Sequence, residues 1–284
     1  MASTNKIAIL GGGNMGLAFA RGLVKSGKFK PEQITITRRM LRNVEAIQEE
    51  GFPATRDNAE AIKDADVIVL AVPVGALSRL LPYVLDRVSH QVVIDMGSTK
   101  GQLAKLVKDH PHRGRFVASH PMWGTEYSGP EAAVETAFED KAVIVCDTID
   151  SDPGALEMAT EIFNSLKMRI IEMGANDHDL HAAYVSHISH ITSFALANTV
   201  LEKEKEDDAI FEMASAGFES TVRLAKSSPE MWTPILMQNR ENILDVLNEH
   251  ITQLRKFKSC LEKENWEYLN ELMSKANQIR RIIH

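Results

Sequence analysis

Cysteine is nearly missing from this chain. Cys146 and Cys260 are the two among 284 residues, far apart and without metal-ligand spacing. Neither a disulfide framework nor a zinc ribbon therefore organises the fold, and each reads as a reduced packing thiol. Long apolar runs are missing too: none approaches the length of about 18 residues that a spanning helix needs. Met1 to Lys6 leads directly into a strand, without the basic, apolar and small-residue succession of a secretion signal. These absences predict a soluble cytoplasmic protein with no membrane partner. Charge of one sign is also lacking. The formal net charge is −7, from 32 basic and 39 acidic residues that are interspersed. This argues against a nucleic-acid partner and confines anion recognition to a small basic pocket. There is no internal repeat, and the charged segment Glu202 to Asp208 reads as a solvated turn.

What is present is an alternation of apolar runs and amphipathic stretches. Lys6 to Leu10 is an apolar run ending at glycines, and Leu17 to Val24 carries apolar residues at helical spacing. Further strands are expected at Ile34–Thr37, Val67–Val72, Val92–Met96, Phe116–Ala118, Ala142–Val145 and Arg169–Glu172, with helices over Asn43–Glu50 and Pro153–Leu166. Strands alternating with helices predict an α/β fold built on a parallel doubly wound sheet. After Gly174 the character changes to helix alone. Ile243, Leu247, Ile251, Leu254, Leu261, Leu269, Leu272 and Ile279 recur at steps of three or four or their sums. Residues 1–173 are thus expected to form a nucleotide-binding domain and 174–284 an all-helical one. The last helices have a broad apolar stripe and little chain left to cover it, which predicts a homodimer.

Gly11-Gly12-Gly13-Asn14-Met15-Gly16 meets the Gly-x-Gly-x-x-Gly pattern after a strand and at the start of a helix, where backbone N–H groups can face a pyrophosphate. Gly11, Gly13, Asn14, Met15 and Gly16 are therefore candidate cofactor contacts; the alternative is an ordinary glycine turn. An NAD-selective site usually places an acid about 20 residues further on. Here the second strand ends in Thr37-Arg38-Arg39. Guanidinium groups make bidentate bonds to a 2′-phosphate that a carboxylate would repel, so NADP is preferred, with NAD possible. The alternative is that the two arginines merely open a basic helix turn.

Ligands of such a sheet lie beyond the carboxyl ends of its strands, and Val72-Pro73, Gly97-Ser98 and His120-Pro121 each follow an expected strand. His120 is a candidate base, since neutral imidazole accepts a proton as hydride leaves an alcohol carbon; taken alone, a structural histidine is the commoner case. Ser98 is placed to bond the substrate hydroxyl, unless it caps the helix over Leu103. Lys100 positions an anionic substrate or is a solvated surface lysine. His187 and His190 lie one helical step apart, yet no His-Glu-x-x-His motif accompanies them, so no metal is expected.

Gly97-Ser98-Thr99-Lys100, then His120-Pro121-Met122-Trp123-Gly124-Thr125-Glu126-Tyr127-Ser128-Gly129, His178-Asp179 and Ser186-His187-Ile188-Ser189-His190 together resemble the prephenate dehydrogenase family of tyrosine biosynthesis. The likeness runs on through Gly217-Phe218, Arg223-Leu224-Ala225 and Pro229-Glu230-Met231-Trp232. It implies a Rossmann domain joined to a helical dimerisation domain, and oxidative decarboxylation of prephenate to 4-hydroxyphenylpyruvate or of arogenate to tyrosine. On this resemblance His120 is the catalytic histidine with Ser98 beside it, and Arg223 binds a substrate carboxylate. Ser186, His187, His190 and Trp232 face the substrate. The chain departs from the commoner family pattern at Ile188-Ser189, at Glu219-Ser220-Thr221-Val222 and at Arg38-Arg39. Histidines rather than a carboxylate in the substrate-facing segment favour prephenate over arogenate. No mutase or regulatory domain is expected at either end. The rival readings are a β-hydroxyacid dehydrogenase or pyrroline-carboxylate reductase relative, and a non-catalytic NADP-binding regulatory protein.

Overall fold

The β-branched runs assemble into one eight-stranded sheet. A computed structural model describes residues 4–124, 133–204 and 209–282. The strands are β1 (Ile7–Leu10), β2 (Ile34–Thr37), β3 (Ala54–Thr55), β4 (Val67–Leu70), β5 (Val92–Asp95), β6 (Phe116–Pro121), β7 (Ala142–Cys146) and β8 (Arg169–Met173). Their order is β3-β2-β1-β4-β5-β6-β7-β8. Pairing is parallel from β3 to β6, but β7 runs antiparallel to β6, and β8 is parallel to β7. The sheet is thus mostly, not wholly, parallel. Strand β6 also runs past the expected Ala118, because its ladder with β7 sets His120 opposite Ile144 and Pro121 opposite Val143. His120 lies inside the end of a strand, not after it.

Helices α1 (Asn14–Lys25), α2 (Leu41–Glu49), α3 (Asn58–Lys63), α4 (Val74–Leu85), α5 (Gly101–Val107) and α6 (Pro153–Ser165) alternate with the strands. Successive strand residues point to opposite faces, and both faces are covered, which is why the runs read as continuously apolar. Ile7 and Ile9 join a layer with Phe19 of α1 and Phe163 of α6; Ala8 and Leu10 join the other with Leu77 and Leu81 of α4 and Leu103 of α5.

After β8 come α7 (Ala175–Ala182), α8 (Ile188–Glu204), α9 (Ala209–Glu212), α10 (Ala216–Val222), α11 (Pro229–Gln238), α12 (Arg240–Glu262) and α13 (Trp266–Ala276). The switch to helix alone falls at 173/174, yet the chain packs as two compact units divided later, Met1–Asn239 and Arg240–His284. The reason is that Ala175 of α7 and Trp232 and Ile235 of α11 enter the same core as Leu77. Glu202–Glu204 complete α8 and are not a turn; residues 205–208 lie outside the described residues, as do Thr125 to Gly129 of the His120 block. In the second unit α12 packs on α13, and Leu254, Leu261, Trp266 and Ile279 are exposed. Among the described residues no helix is long and apolar enough to cross a membrane.

Candidate active site

Strand order reverses between β1 and β4, and there the glycine loop meets Val72-Pro73. Gly11 has φ +116, and a side chain on it would strike the Ala71 carbonyl and the Val72 side chain. A Cβ on Gly16 would run into the Gly11 carbonyl oxygen. The turn from β1 into α1 is therefore closed to other residues. Gly13 is the N-cap of α1 and carries no side-chain acceptor, and the first turn holds no acid, so the N-terminal end of this helix suits an anion. Asn14, Met15 and Gly16 form that first turn, and Pro73 is the N-cap of α4. The Arg38 side chain reaches over the loop, with a guanidinium nitrogen 3.7 Å from where a Gly13 Cβ would stand. Arg39 is exposed, and its carbonyl accepts from Arg56 Nε at 2.9 Å, which adds a third arginine that the sequence reading missed. The glycine loop, the first turn of α1 and Arg38 are residues that would suit a dinucleotide.

Ser98, half-buried, follows β5, and His120, also half-buried, closes β6 on the neighbouring strand. Ser98 is not the cap of α5. That place is taken by Asp179 of α7, whose Oδ1 accepts from Lys100 N at 2.7 Å and whose Oδ2 accepts from Gly101 N at 2.8 Å. Lys100 is neither a surface lysine nor turned to open space: its side chain is fully buried, and Nζ donates to Asp95 and, at 2.7 Å, to the Ser119 carbonyl. Asp95 also accepts from Gly97 N at 2.9 Å and Ser119 N at 3.0 Å. This knot ties the ends of β5 and β6 together, and with them Ser98 and His120. Cys146, at the end of β7, is a buried thiol pushed up to about 12 by burial, so it packs and does not react.

A second histidine completes the site. His120 Nδ1 lies 2.9 Å from His178 Nε2, and His178 Nδ1 lies 2.8 Å from Asp179 Oδ1. A carboxylate only accepts, so His178 carries a hydrogen on Nδ1, and in the tautomer with no hydrogen on Nε2 that atom accepts. His120 then donates from Nδ1 and keeps a lone pair on Nε2. Burial holds the His120 pKa well below its ordinary value, and the nearby charges of His178, Lys100 and His187 push the same way. Burial raises Asp179, but the hydrogen bonds from His178, Lys100 N and Gly101 N outweigh it and leave the carboxyl below its ordinary value.

Between α7 and α8 the helix widens into a π turn, Ala183–His187, a distortion that rotates the later residues about the helix axis. Nine positions along a straight α-helix is roughly half a turn out of phase, yet His187 is close enough to His178 to feel its charge. His187 is 1% exposed, and Asn239 Nδ2 donates to its Nδ1 at 3.1 Å and to the Asp179 carbonyl at 2.6 Å. Its ring meets Trp232 edge-on at 5.9 Å, while His190 stacks on Trp232 at 3.4 Å between centroids. His190 Nδ1 donates to the Ser186 carbonyl at 3.0 Å, which leaves Nε2 as an acceptor. Burial lowers His190; the Ser186 bond opposes this, and the neighbouring Arg223 charge adds to it. Trp232 is 8% exposed and its indole N–H has no protein partner among the described residues. The structure thus gathers His120, His178, His187, His190, Trp232 and Arg223 in one unit; sequence reasoning missed Asp95 and Asn239 as site residues, and it noted His178-Asp179 only as part of the family resemblance, without a role.

The sequence profile of a prephenate dehydrogenase nucleotide-binding domain matches residues 19–172, and that of a prephenate dehydrogenase dimerization domain matches residues 174–275. The chain belongs to the prephenate dehydrogenase family. It is 30% identical to the cyclohexadienyl dehydrogenase of Zymomonas mobilis over 232 residues, 81% of this chain and 79% of that relative. It is 31% identical to the prephenate dehydrogenase of Bacillus subtilis over 222 residues, 77% of this chain and 60% of that relative. The crystal structure of the Aquifex aeolicus prephenate dehydrogenase, in complex with hydroxyphenyl propionate and NAD+, superposes with a TM-score of 0.90 at 28% identity and covers 99% of each chain. The chain is an oxidoreductase of the dehydrogenase type, with a Rossmann-type nucleotide-binding domain followed by helices.

Proposed function

We propose that this chain oxidises prephenate to 4-hydroxyphenylpyruvate with loss of carbon dioxide, using NADP in preference to NAD. The observation that carries the reading is the neutral His120, whose Nδ1 is spent on His178 and whose Nε2 lone pair is left for the ring hydroxyl. Residues 1–173 hold the nucleotide and 174–284 supply substrate and dimer contacts. Gly11–Gly16, Arg38, Val72 and Pro73 would hold the dinucleotide, whose nicotinamide would supply the hydride acceptor. His120 Nε2 takes the proton from the hydroxyl oxygen as hydride leaves the carbon that bears it, and the Ser98 hydroxyl bonds that oxygen. The resulting dienone carbonyl stands para to the carbon that bears the carboxylate, linked to it through a ring double bond, a vinylogue of a β-keto acid. The bond between that carbon and the carboxylate breaks, its electron pair restores the aromatic ring and ends on the oxygen, and the oxygen takes its proton back from His120 Nε2. No net proton is released.

Arg223 supplies the fixed cation for a substrate carboxylate, with a planar fork that matches it. Prephenate is favoured over arogenate because the groups around Trp232 are neutral imidazoles and a guanidinium, which suit a keto acid better than an ammonium. The Aquifex aeolicus relative was crystallised with a carboxylate lacking an amine, hydroxyphenyl propionate. The exposed apolar residues of α12 and α13 support a homodimer. Initial rates on prephenate and arogenate with NADP and NAD test the reading: prephenate with NADP is expected to give the highest kcat/KM, and no reduction of either nucleotide by either substrate would reject it.

A further inference from the structure

We propose that His178 is a positioning residue that holds, between the two halves of the reaction, the charge of the proton His120 takes from the substrate, with Asp179 as its counter-ion. This rests on His120 being the base.

The geometry gives the relay a direction. His120 Nδ1, His178 Nε2, His178 Nδ1 and Asp179 Oδ1 form one chain of contacts, 2.9 and 2.8 Å long; since the carboxylate only accepts, the tautomers that complete it direct hydrogens from His120 to His178 and from His178 to Asp179. When His120 Nε2 gains the hydroxyl proton, the ring would become a cation in a buried place. The charged and titratable groups facing it are Lys100, His178 and His187, with Asp95 already paired to Lys100. An imidazolium on His120 is opposed there by desolvation and by the Lys100 ammonium. If the Nδ1 hydrogen crosses to His178 Nε2, His120 is neutral again, now with its hydrogen on Nε2, and the cation rests on His178 against a carboxylate 2.8 Å away. Decarboxylation reverses both transfers: the ring oxygen takes the Nε2 hydrogen, and His178 Nε2 returns its hydrogen to His120 Nδ1. Every proton is returned and no co-reactant is needed. Asp179 is held for this task, since two backbone N–H groups of the α5 entry and His178 all donate to it.

The test is His178→Gln, whose side-chain oxygen still accepts from His120 Nδ1 but cannot become a cation. The expected result is a kcat lower by about 10-fold or more, with KM for prephenate and nucleotide affinity within about twofold of the parent, since affinity and kcat report different losses. The acid limb of the kcat/KM profile should move to lower pH, because protonating His120 no longer draws on the His178–Asp179 pair. A parent-like kcat and pH profile, or a loss confined to KM, would overturn the proposal. Should the variant not fold, a proton inventory on single-turnover hydride transfer by the parent decides: curvature from two protons in flight supports the relay, and a linear dependence overturns it. His120→Asn separates the two ideas. A dead His120→Asn beside a parent-like His178→Gln leaves the base standing and removes only the relay, whereas an active His120→Asn removes both.

Discussion

Lys100 and Asp95 form a fully buried ion pair at the ends of β5 and β6, with neither side chain reaching solvent. Such a pair adds little over an apolar substitute, but breaking it from one side strands a charge, at a cost of about 3–5 kcal/mol. Asp95 keeps its bonds from Gly97 N and Ser119 N, so Lys100→Met is expected at the lower end, about 3 kcal/mol. Urea denaturation measures it, and adding Asp95→Asn should recover part of the loss. A loss under about 1 kcal/mol would show that the pair is not holding the strand ends.

His120→Asn removes the acceptor while leaving the strand ladder in place, since the ladder uses only backbone atoms. Turnover should fall by a factor on the order of 100 or more. Nucleotide affinity, measured by fluorescence titration, should stay within about twofold because the glycine loop is untouched. An unchanged kcat would take the proton-acceptor role away from this residue.

Much of the fold was legible because strands buried on both faces leave continuous apolar runs, as Val67–Leu70 and Val92–Asp95 do. The glycine loop was legible because Gly11 and Gly16 have no room for a side chain. Where sequence reasoning stopped, partners distant in the chain decide. Strand β6 extends to Pro121 only because β7 lies antiparallel beside it. Lysine is so seldom buried unpaired that Lys100 reads as surface until Asp95 is seen under it. His178 has no periodic signal; the His178-Asp179 pair entered only as part of the family resemblance, with no role attached, and only the position of α7 against α5 turns it toward His120.

Arg38 reaches over the glycine loop, and Arg56 bonds the Arg39 carbonyl. If these arginines receive a 2′-phosphate, Arg38→Ala should cost about 10-fold or more in kcat/KM with NADP, the value of one charge-assisted bond. The value with NAD, which lacks that phosphate, should change little. Equal losses with both nucleotides would mean that Arg38 supports the loop itself.

Arg223 lies close enough to His190 for its charge to act on that imidazole. Arg223→Ala is expected to raise the KM for prephenate, by about 10-fold or more for a lost charge-assisted pair, with a smaller change in kcat. Reduced thermal stability with an unaltered KM would make this residue structural.

His187 gives the fold an acid sensitivity of definite sign. Burial lowers its pKa to about 4, opposed by Asp179 and reinforced by His178 and His190. Above about pH 6.5 the residue is neutral whether the chain is folded or not, and it contributes no pH dependence. As pH falls from about 6.5 toward about 4, only the unfolded chain takes the proton, so folding stability drops by about 3 kcal/mol in all. Below about 4 both states are protonated and the loss from this residue stops. His187→Gln, whose amide nitrogen can still meet Trp232 and whose oxygen can accept from Asn239, lacks the titration. Urea midpoints at pH 7 and pH 4.5 should therefore lie closer together in the variant than in the parent, with His120 and His190 contributing the same remainder to both. Identical pH dependence in the two proteins would mean that His187 takes up its proton without disturbing the fold.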